Sequence, residues 1–222
     1  MPKRVLIIAP HPDDETLGAG GTLLKMKDMG YETFWVIFTK ATEEIKPKEW
    51  LQKREKEIKL VAKEYGFSDV FELGFTTTRL DMYPMTDLVE SISKIIKKVK
   101  PAIVFLNHPY DIHSDHRVVF QACASALKSF RADFVNEIFC YETLSETEQG
   151  SMFKEQMFLP NTYVDITRYF EKKREIMSIY ESEIDNAPFP RSFGVMEALA
   201  RLRGSFMGTE FAEAFVMLRR FL

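Results

Sequence analysis

Residues 5–15 read Val5-Leu6-Ile7-Ile8-Ala9-Pro10-His11-Pro12-Asp13-Asp14-Glu15. The first five form an apolar run too short for a globular helix and suited to a strand buried on both faces. Pro10 breaks the run, and a histidine and three carboxylates follow at once. About a hundred residues later the pattern returns: Ile103-Val104-Phe105-Leu106 leads into Asn107-His108-Pro109-Tyr110-Asp111-Ile112-His113-Ser114-Asp115-His116-Arg117. These two loops hold all four histidines of the chain. If both runs are parallel strands of one sheet, both loops leave its carboxyl edge, where open α/β folds place their sites.

The segments around these loops support that arrangement. Residues 16–29 read as a helix stopped by Gly30, and 33–39 as a second strand. Residues 47–65 form a charged amphipathic helix with Trp50, Leu51, Ile58 and Val61 on or near one face, closed by Gly66. A short strand is expected at 70–73, a helix at 85–99, a strand at 102–106 and a helix at 115–130, whose first turn carries Asp115 as the helix dipole favours. Strand and helix alternate, which predicts an α/β fold: a Rossmann-like, mostly parallel sheet with helices on both faces. The later chain is less regular. A strand is read at 137–141, a short extended piece at 163–166, helices at 169–180 and 195–203, a loop at 186–190, and a final strand or helix at 212–218. With no repeat, low-complexity tract or linker, residues 1–222 are expected to form a single domain.

Composition narrows the classes of function. The chain has 45% apolar residues, 19 Phe and 11 Met, which marks an ordered globular protein. A net charge of −3 gives no support to a nucleic-acid or anionic-membrane binder. Cys123 and Cys140 lie in apolar settings without CxxC spacing, so they read as buried small hydrophobes in a reducing compartment. The apolar run behind Pro2-Lys3-Arg4 ends at Pro10, too soon for a signal-peptide core or a membrane span. A cytoplasmic protein with no membrane partner is the expectation.

The two loops carry the chemistry. A catalytic zinc takes three protein ligands and leaves a position for water. His11 and Asp14, three residues apart just past a strand, can meet one ion in a tight turn, and His116 completes a two-histidine, one-carboxylate set. Fe²⁺, Co²⁺ or Mn²⁺ could use the same donors, and Asp115, His113 or His108 remain alternative ligands at this point. Asp13, beside a ligand but pointing elsewhere, can take a proton from water. His113 is close enough to His116 to face the same cavity, and Asp115 could hydrogen-bond the His113 ring and favour its imidazolium. A cationic His113 would stabilise an oxyanion or protonate a leaving amine. Glu15 also reads as a plain first-turn helix carboxylate. Gly18-Ala19-Gly20-Gly21 does not fit GxGxxG and reads as small residues packed close to the sheet, not as a dinucleotide fingerprint.

At these residues the chain resembles the LmbE-like, or PIG-L, family of metal-dependent N-deacetylases. The family's first motif corresponds to Pro10-His11-Pro12-Asp13-Asp14-Glu15 and its second to Asp111-Ile112-His113-Ser114-Asp115-His116-Arg117. Arg54 and Glu57, Tyr141-Glu142, Val164-Asp165-Ile166-Thr167 with Lys172 or Lys173, and the stretch from Gly208 through Phe215 extend the likeness over most of the chain. The resemblance implies a Rossmann-like fold without nicotinamide and a metal, usually zinc, on His11, Asp14 and His116. It implies Asp13 as general base, His113 supported by Asp115 at the oxyanion and leaving amine, and Arg54 as a substrate-holding residue. It implies removal of the N-acetyl group from an N-acetylglucosamine-containing small molecule or conjugate, and a homo-oligomer, since members are often oligomeric. An amidase for another N-acyl small molecule and a non-catalytic metal- or nucleotide-sugar-binding protein are the competing readings. The chain departs from many relatives at Ser182-Glu183, where they have Ser-Gln, and residues 186–193 have no feature to which the sequence attaches a role.

Overall fold

The computed structural model describes residues 3–150 and 152–221. In chain order the elements are β1 (Arg4–Ala9), α1 (Asp14–Asp28), β2 (Glu32–Lys40), α2 (Lys48–Tyr65), β3 (Asp69–Thr76), α3 (Met85–Val99), β4 (Ile103–Asn107), α4 (Ser114–Ala126) and β5 (Glu137–Tyr141). A short α5 (Thr147–Gly150), β6 (Thr162–Asp165), α6 (Phe170–Met177), α7 (Phe193–Ser205) and β7 (Ala212–Arg220) follow, with 3-10 turns at Leu80–Met82, Lys154–Gln156 and Glu181–Glu183. The fold is α/β, as the alternation predicts.

Among the described residues, seven strands form one sheet in the order β3-β2-β1-β4-β5-β7-β6. The first five are parallel, and β7 runs antiparallel to both β5 and β6. The last segment, open between strand and helix in the sequence, is therefore an antiparallel strand that seats β6 at the sheet's far edge. Along β1 the side chains alternate between two cores. Val5, Ile7 and Ala9 join one and Leu6 and Ile8 the other, and all five are fully buried. Period-two alternation with both faces covered is the physical content of an unbroken apolar run.

Helix ends differ locally from the sequence reading. Helix α4 stops at Ala126 instead of 130, because the Lys128 carbonyl accepts the N–H of Arg131 and Ala132 and starts a separate turn that buries Ala132. Helix α6 ends at Met177, and Ile179 and Tyr180 close onto the carbonyls three residues back, tightening the chain before Glu181. Gly66 ends α2 in the left-handed region at φ 63°, as its place in the sequence requires.

The glycines of α1 serve packing. A Cβ on Gly18 would stand 2.1 Å from the Tyr141 ring, and one on Gly21 would stand 2.7 Å from Ile166. The helix is further tied down by a buried Lys173–Glu213 pair at 2.7 Å. The Glu213 carboxylate accepts the backbone N–H of Gly21 and Thr22, and Lys173 Nζ donates to the Leu17 carbonyl. These contacts fix α1, and with it the loop that starts the helix, against β7 and α6. No helix among the described residues is long and apolar enough to cross a membrane.

Candidate metal centre

The sheet changes direction between β1 and β4: from β1 the chain moves outward to β2 and β3, and from β4 to β5 on the other side. Strands β1 and β4 are hydrogen-bonded neighbours, so the loops at their carboxyl ends lie side by side. This switch point is where the geometry of an open α/β sheet leaves a crevice.

His11, Asp14 and His116 bring one ligand atom each to within 4.8 Å of one another. Asp14 Oδ2 lies 3.5 Å from His11 Nδ1 and 3.3 Å from His116 Nε2, and the two nitrogens are 3.3 Å apart. Each imidazole has its other nitrogen held by a carboxylate. His11 Nε2 meets Asp115 Oδ2 at 3.0 Å, and His116 Nδ1 meets Asp111 Oδ2 at 2.8 Å. If those outer nitrogens carry the protons, both inner nitrogens offer lone pairs toward Asp14. A carboxylate behind each histidine is the arrangement that orients metal-binding imidazoles. The donor set fits a divalent cation with a position left for a further ligand.

Electrostatics agree with that fit. Burial alone would raise the Asp14 carboxyl, but the His116 charge and the hydrogen bonds from both histidines hold it well below the carboxylate range. Burial likewise disfavours charge on His11, yet its contacts with Asp115 and Asp14 bring it up to about 9. His116 is also pushed upward against its burial, by Asp14 and Asp111. The pocket is built to hold positive charge.

Asp111 gained no role from the sequence, although its place five residues before His116 was a usable signal. Its second oxygen accepts from Thr147 Oγ1 at 2.6 Å, which anchors it to α5. Asp115 differs from expectation. Its backbone N–H, not its carboxylate, reaches the His113 ring, donating to Nδ1 at 3.1 Å. The carboxylate turns instead to His11 Nε2 and to the N–H groups of Thr78 and Leu80, at 2.7 and 3.3 Å. Those donors come from the loop after β3 and outcompete the ring. His113 thus keeps its proton on Nε2, and burial followed by the positive charge at His11 and His116 pushes it down to about 4. The expected imidazolium is replaced by a neutral imidazole with one N–H to offer.

Asp13 takes the helix-capping position of α1, but its side chain makes no capping hydrogen bond. An aspartate there ordinarily folds back onto the helix N–H groups. Here the backbone has φ 143°, a conformation rare for any residue with a Cβ, and the carboxylate stays uncommitted to the helix. Asp13 is buried beside Asp14. Burial, then the charges of Asp14 and Glu183, raise its carboxyl well above the usual range, against the opposing pull of Arg191 and Arg54.

A cavity of about 260 Å³ opens over these groups and includes His11, Asp13, Asp14, His113 and His116 on its wall. Arg54 borders it too, but its guanidinium is largely engaged by protein. Nη1 donates to the Pro12 carbonyl at 2.7 Å, Nη2 to Ser182 Oγ at 3.0 Å and to Glu183, and Nε pairs with Glu57 at 3.0 Å. A substrate contact would have to share these donors. The segment without a sequence-assigned role supplies Arg191, which lines the cavity, pairs with Glu183 at 3.3 Å and lies 3.9 Å from Asp13 Oδ2. Nothing in the sequence marked it, since it reaches the site only through the turn after α6. His108 is turned away, toward the Gln156 carbonyl at 3.0 Å, and takes no part in the cluster.

Fold and site together define an α/β protein with a histidine–carboxylate cation site at the switch point of its sheet. Residues 6–127 match the family model described as PIG-L: GlcNAc-PI de-N-acetylase, and the chain belongs to this LmbE-like deacetylase family. It is 28% identical to the diacetylchitobiose deacetylase of Thermococcus kodakarensis, across 95% of this chain and 81% of that protein. It superposes on the N,N'-diacetylchitobiose deacetylase of Pyrococcus horikoshii with a TM-score of 0.79 at 25% identity, covering 98% of this chain and 84% of that one. It also shares its fold with GalB, the 4-carboxy-2-hydroxymuconate hydratase of Pseudomonas putida KT2440 (TM-score 0.72, 18% identity, 99% and 98% covered). A hydratase on the same scaffold means that the scaffold alone does not choose the reaction.

Proposed function

We propose that the protein is a zinc-dependent hydrolase that removes the N-acetyl group from an N-acetylglucosamine-containing small molecule or conjugate, releasing acetate and a free amine. The observation that carries this reading is Asp13: a buried carboxylate withheld from helix capping, next to a three-donor cation site and facing a cavity. Holding an ion requires no such group, whereas activating water does.

A zinc ion on His11, Asp14 and His116 would supply a Lewis acid and make water more acidic. Asp13 accepts the proton of the attacking water, and its raised affinity for protons suits it to that step. The water oxygen then bonds to the acetamide carbon, and the carbonyl oxygen takes up the negative charge. His113 offers its Nε2 hydrogen to that oxygen, a task for which a neutral imidazole suffices. Collapse breaks the carbon–nitrogen bond, and the proton held by Asp13 goes to the departing amine. Asp115 acts through His11, whose ring it orients. Arg191 borders the cavity with Lys40 and Lys46 and is a cation available to the rest of the substrate, whereas Arg54 is held by Pro12, Ser182, Glu183 and Glu57.

The likeness to diacetylchitobiose deacetylases supports the choice of an amino-sugar amide. The test is acetate release by zinc-loaded protein from N-acetylglucosamine, diacetylchitobiose, a phosphorylated N-acetylglucosamine conjugate and an N-acetyl amino acid. Turnover of one or more of the sugars, with little on the amino acid, is expected. Turnover confined to the amino acid would overturn the substrate class, and none at full cation occupancy would overturn the hydrolase.

A further inference from the structure

The peptide between Pro12 and Asp13 is held at both ends. Its carbonyl accepts from Arg54 Nη1 at 2.7 Å, and its N–H donates to Glu15 Oε2 at 3.0 Å. In a trans peptide these two groups point to opposite sides of one plane, so Arg54 and Glu15 grip the plane from opposite directions. The two grips share a third residue. Tyr180 donates its hydroxyl to Glu15 Oε1 at 2.9 Å, and the Arg54 guanidinium lies over its ring, 5.3 Å from the centroid. Glu15 and Tyr180 are fully buried, and Thr16 Oγ1 adds a hydrogen bond of 2.6 Å to Glu15. Immediately downstream of this plane, Asp13 has its φ of 143°.

We infer that Glu15, Arg54 and Tyr180 form a clamp on the Pro12–Asp13 peptide that fixes Asp13 in its unfavourable backbone conformation and so aims its carboxylate into the cavity. A non-glycine residue at such an angle is strained and persists only when its surroundings over-determine it. Two buried side chains on one peptide plane, braced by Tyr180, which touches both, supply that determination. These are positioning residues, since they act through Asp13. The inference rests on the reading of Asp13 as the base.

Glu15→Ala removes one grip. A carboxylate misplaced by about an ångström costs on the order of 10²-fold in turnover, so kcat is expected to fall 10- to 100-fold. KM and zinc content should stay near wild type, because His11 and Asp14 are held by other contacts. Glu15→Gln keeps an acceptor for the N–H and should restore most of kcat. Tyr180→Phe, the mildest change, should give a smaller loss of the same kind. In an Asp13→Asn background Glu15→Ala should cost nothing further, since the group it positions is already gone.

Arg54→Ala should lower kcat equally for a phosphorylated conjugate and for free N-acetylglucosamine. A much larger loss for the conjugate would take Arg54 out of the clamp and make it a substrate-binding residue. Near wild-type kcat in both Glu15→Ala and Tyr180→Phe, parallel loss of zinc and activity, or full additivity with Asp13→Asn would overturn the clamp. Should Asp13→Asn alone prove silent, the base assignment fails by itself. The clamp is then judged by crystallography: Glu15→Ala must release Asp13 from its positive φ, and retention of that angle overturns it.

Discussion

The cation side of the site and the proposed proton-accepting side meet at the adjacent residues Asp14 and Asp13 and are built in different ways. On the cation side, side chains hold side chains: Asp111 behind His116, Asp115 behind His11, and both histidines against Asp14. Asp111, Asp115 and His116 come from six consecutive residues, 111–116, so Asp111 backs His116 locally while Asp115 backs His11 across the two loops. On the other side, Asp13 is set by its backbone, and the groups that grip it come from α1, α2 and the turn after α6. The first design places donors around a point and tolerates a flexible backbone. The second places one carboxylate by fixing a dihedral angle. Damage to the two should therefore look different: loss of cation on one side, loss of rate with the cation retained on the other.

His116→Ala should break the cation side most completely. It removes one of three donors and leaves Asp14 with a single imidazole, so tightly bound zinc and activity should fall to background together. Elemental analysis after chelator washing is the check, and zinc content equal to wild type would remove His116 from the ligand set.

Asp13→Asn is the counterpart. The amide is nearly isosteric but cannot take a proton at neutral pH, so turnover should fall by about 10²–10⁴-fold at unchanged zinc content. Near wild-type turnover at full occupancy would show that the base lies elsewhere. His113→Ala should cost about 10²–10³-fold, again with the cation kept, as expected for a lost donor to a developing oxyanion. Zinc lost along with activity would instead make His113 a ligand and move it to the other side of the comparison.

Asp111→Asn tests whether the local carboxylates serve the cation side as claimed. Loss of such a partner typically costs 10–100-fold in metal affinity, measured here by competition with a chelating dye. An unchanged affinity, with turnover reduced, would mean that Asp111 shapes the cavity and not His116.

The smallest effect is a slope with pH. In the cation-free protein His11 is raised from 6.5 to about 9, so folding favours its protonated form. That contribution is fully present below about pH 6.5 and is lost as pH rises through about 9. The thermal midpoint of cation-free protein should therefore decline across that window. A zinc ion must displace the same proton, so zinc affinity should rise over the same range. A midpoint that climbs with pH while zinc binding stays flat would contradict both.

Much of the fold was legible because burial imposes periodicity. A strand covered on both faces reads as an apolar run and an amphipathic helix as a stripe, so the parallel half of the sheet and helices α1 through α4 could be read to within a few residues. The C-terminal strand could not be told from a helix, because Ala212 to Leu218 mixes buried and exposed positions without a clear period. Asp115 was tied to the wrong ring because spacing along a chain does not say which way a carboxylate turns. That was decided by two N–H groups arriving from the loop after β3, nearly forty residues away. Arg191 was invisible for the same reason.

By itself, then, the sequence determined the parallel α/β alternation, the two loops and the grouping of histidines and aspartates within them. Each of these follows from residue type and short-range order. Only the tertiary structure decided that Asp111 and Asp115 each back a different histidine, that His113 is neutral, and that Glu15 and Arg54 meet at one peptide plane. Those facts depend on hydrogen-bond competition among groups distant in sequence, and such competition is resolved only when the sheet has brought the groups together.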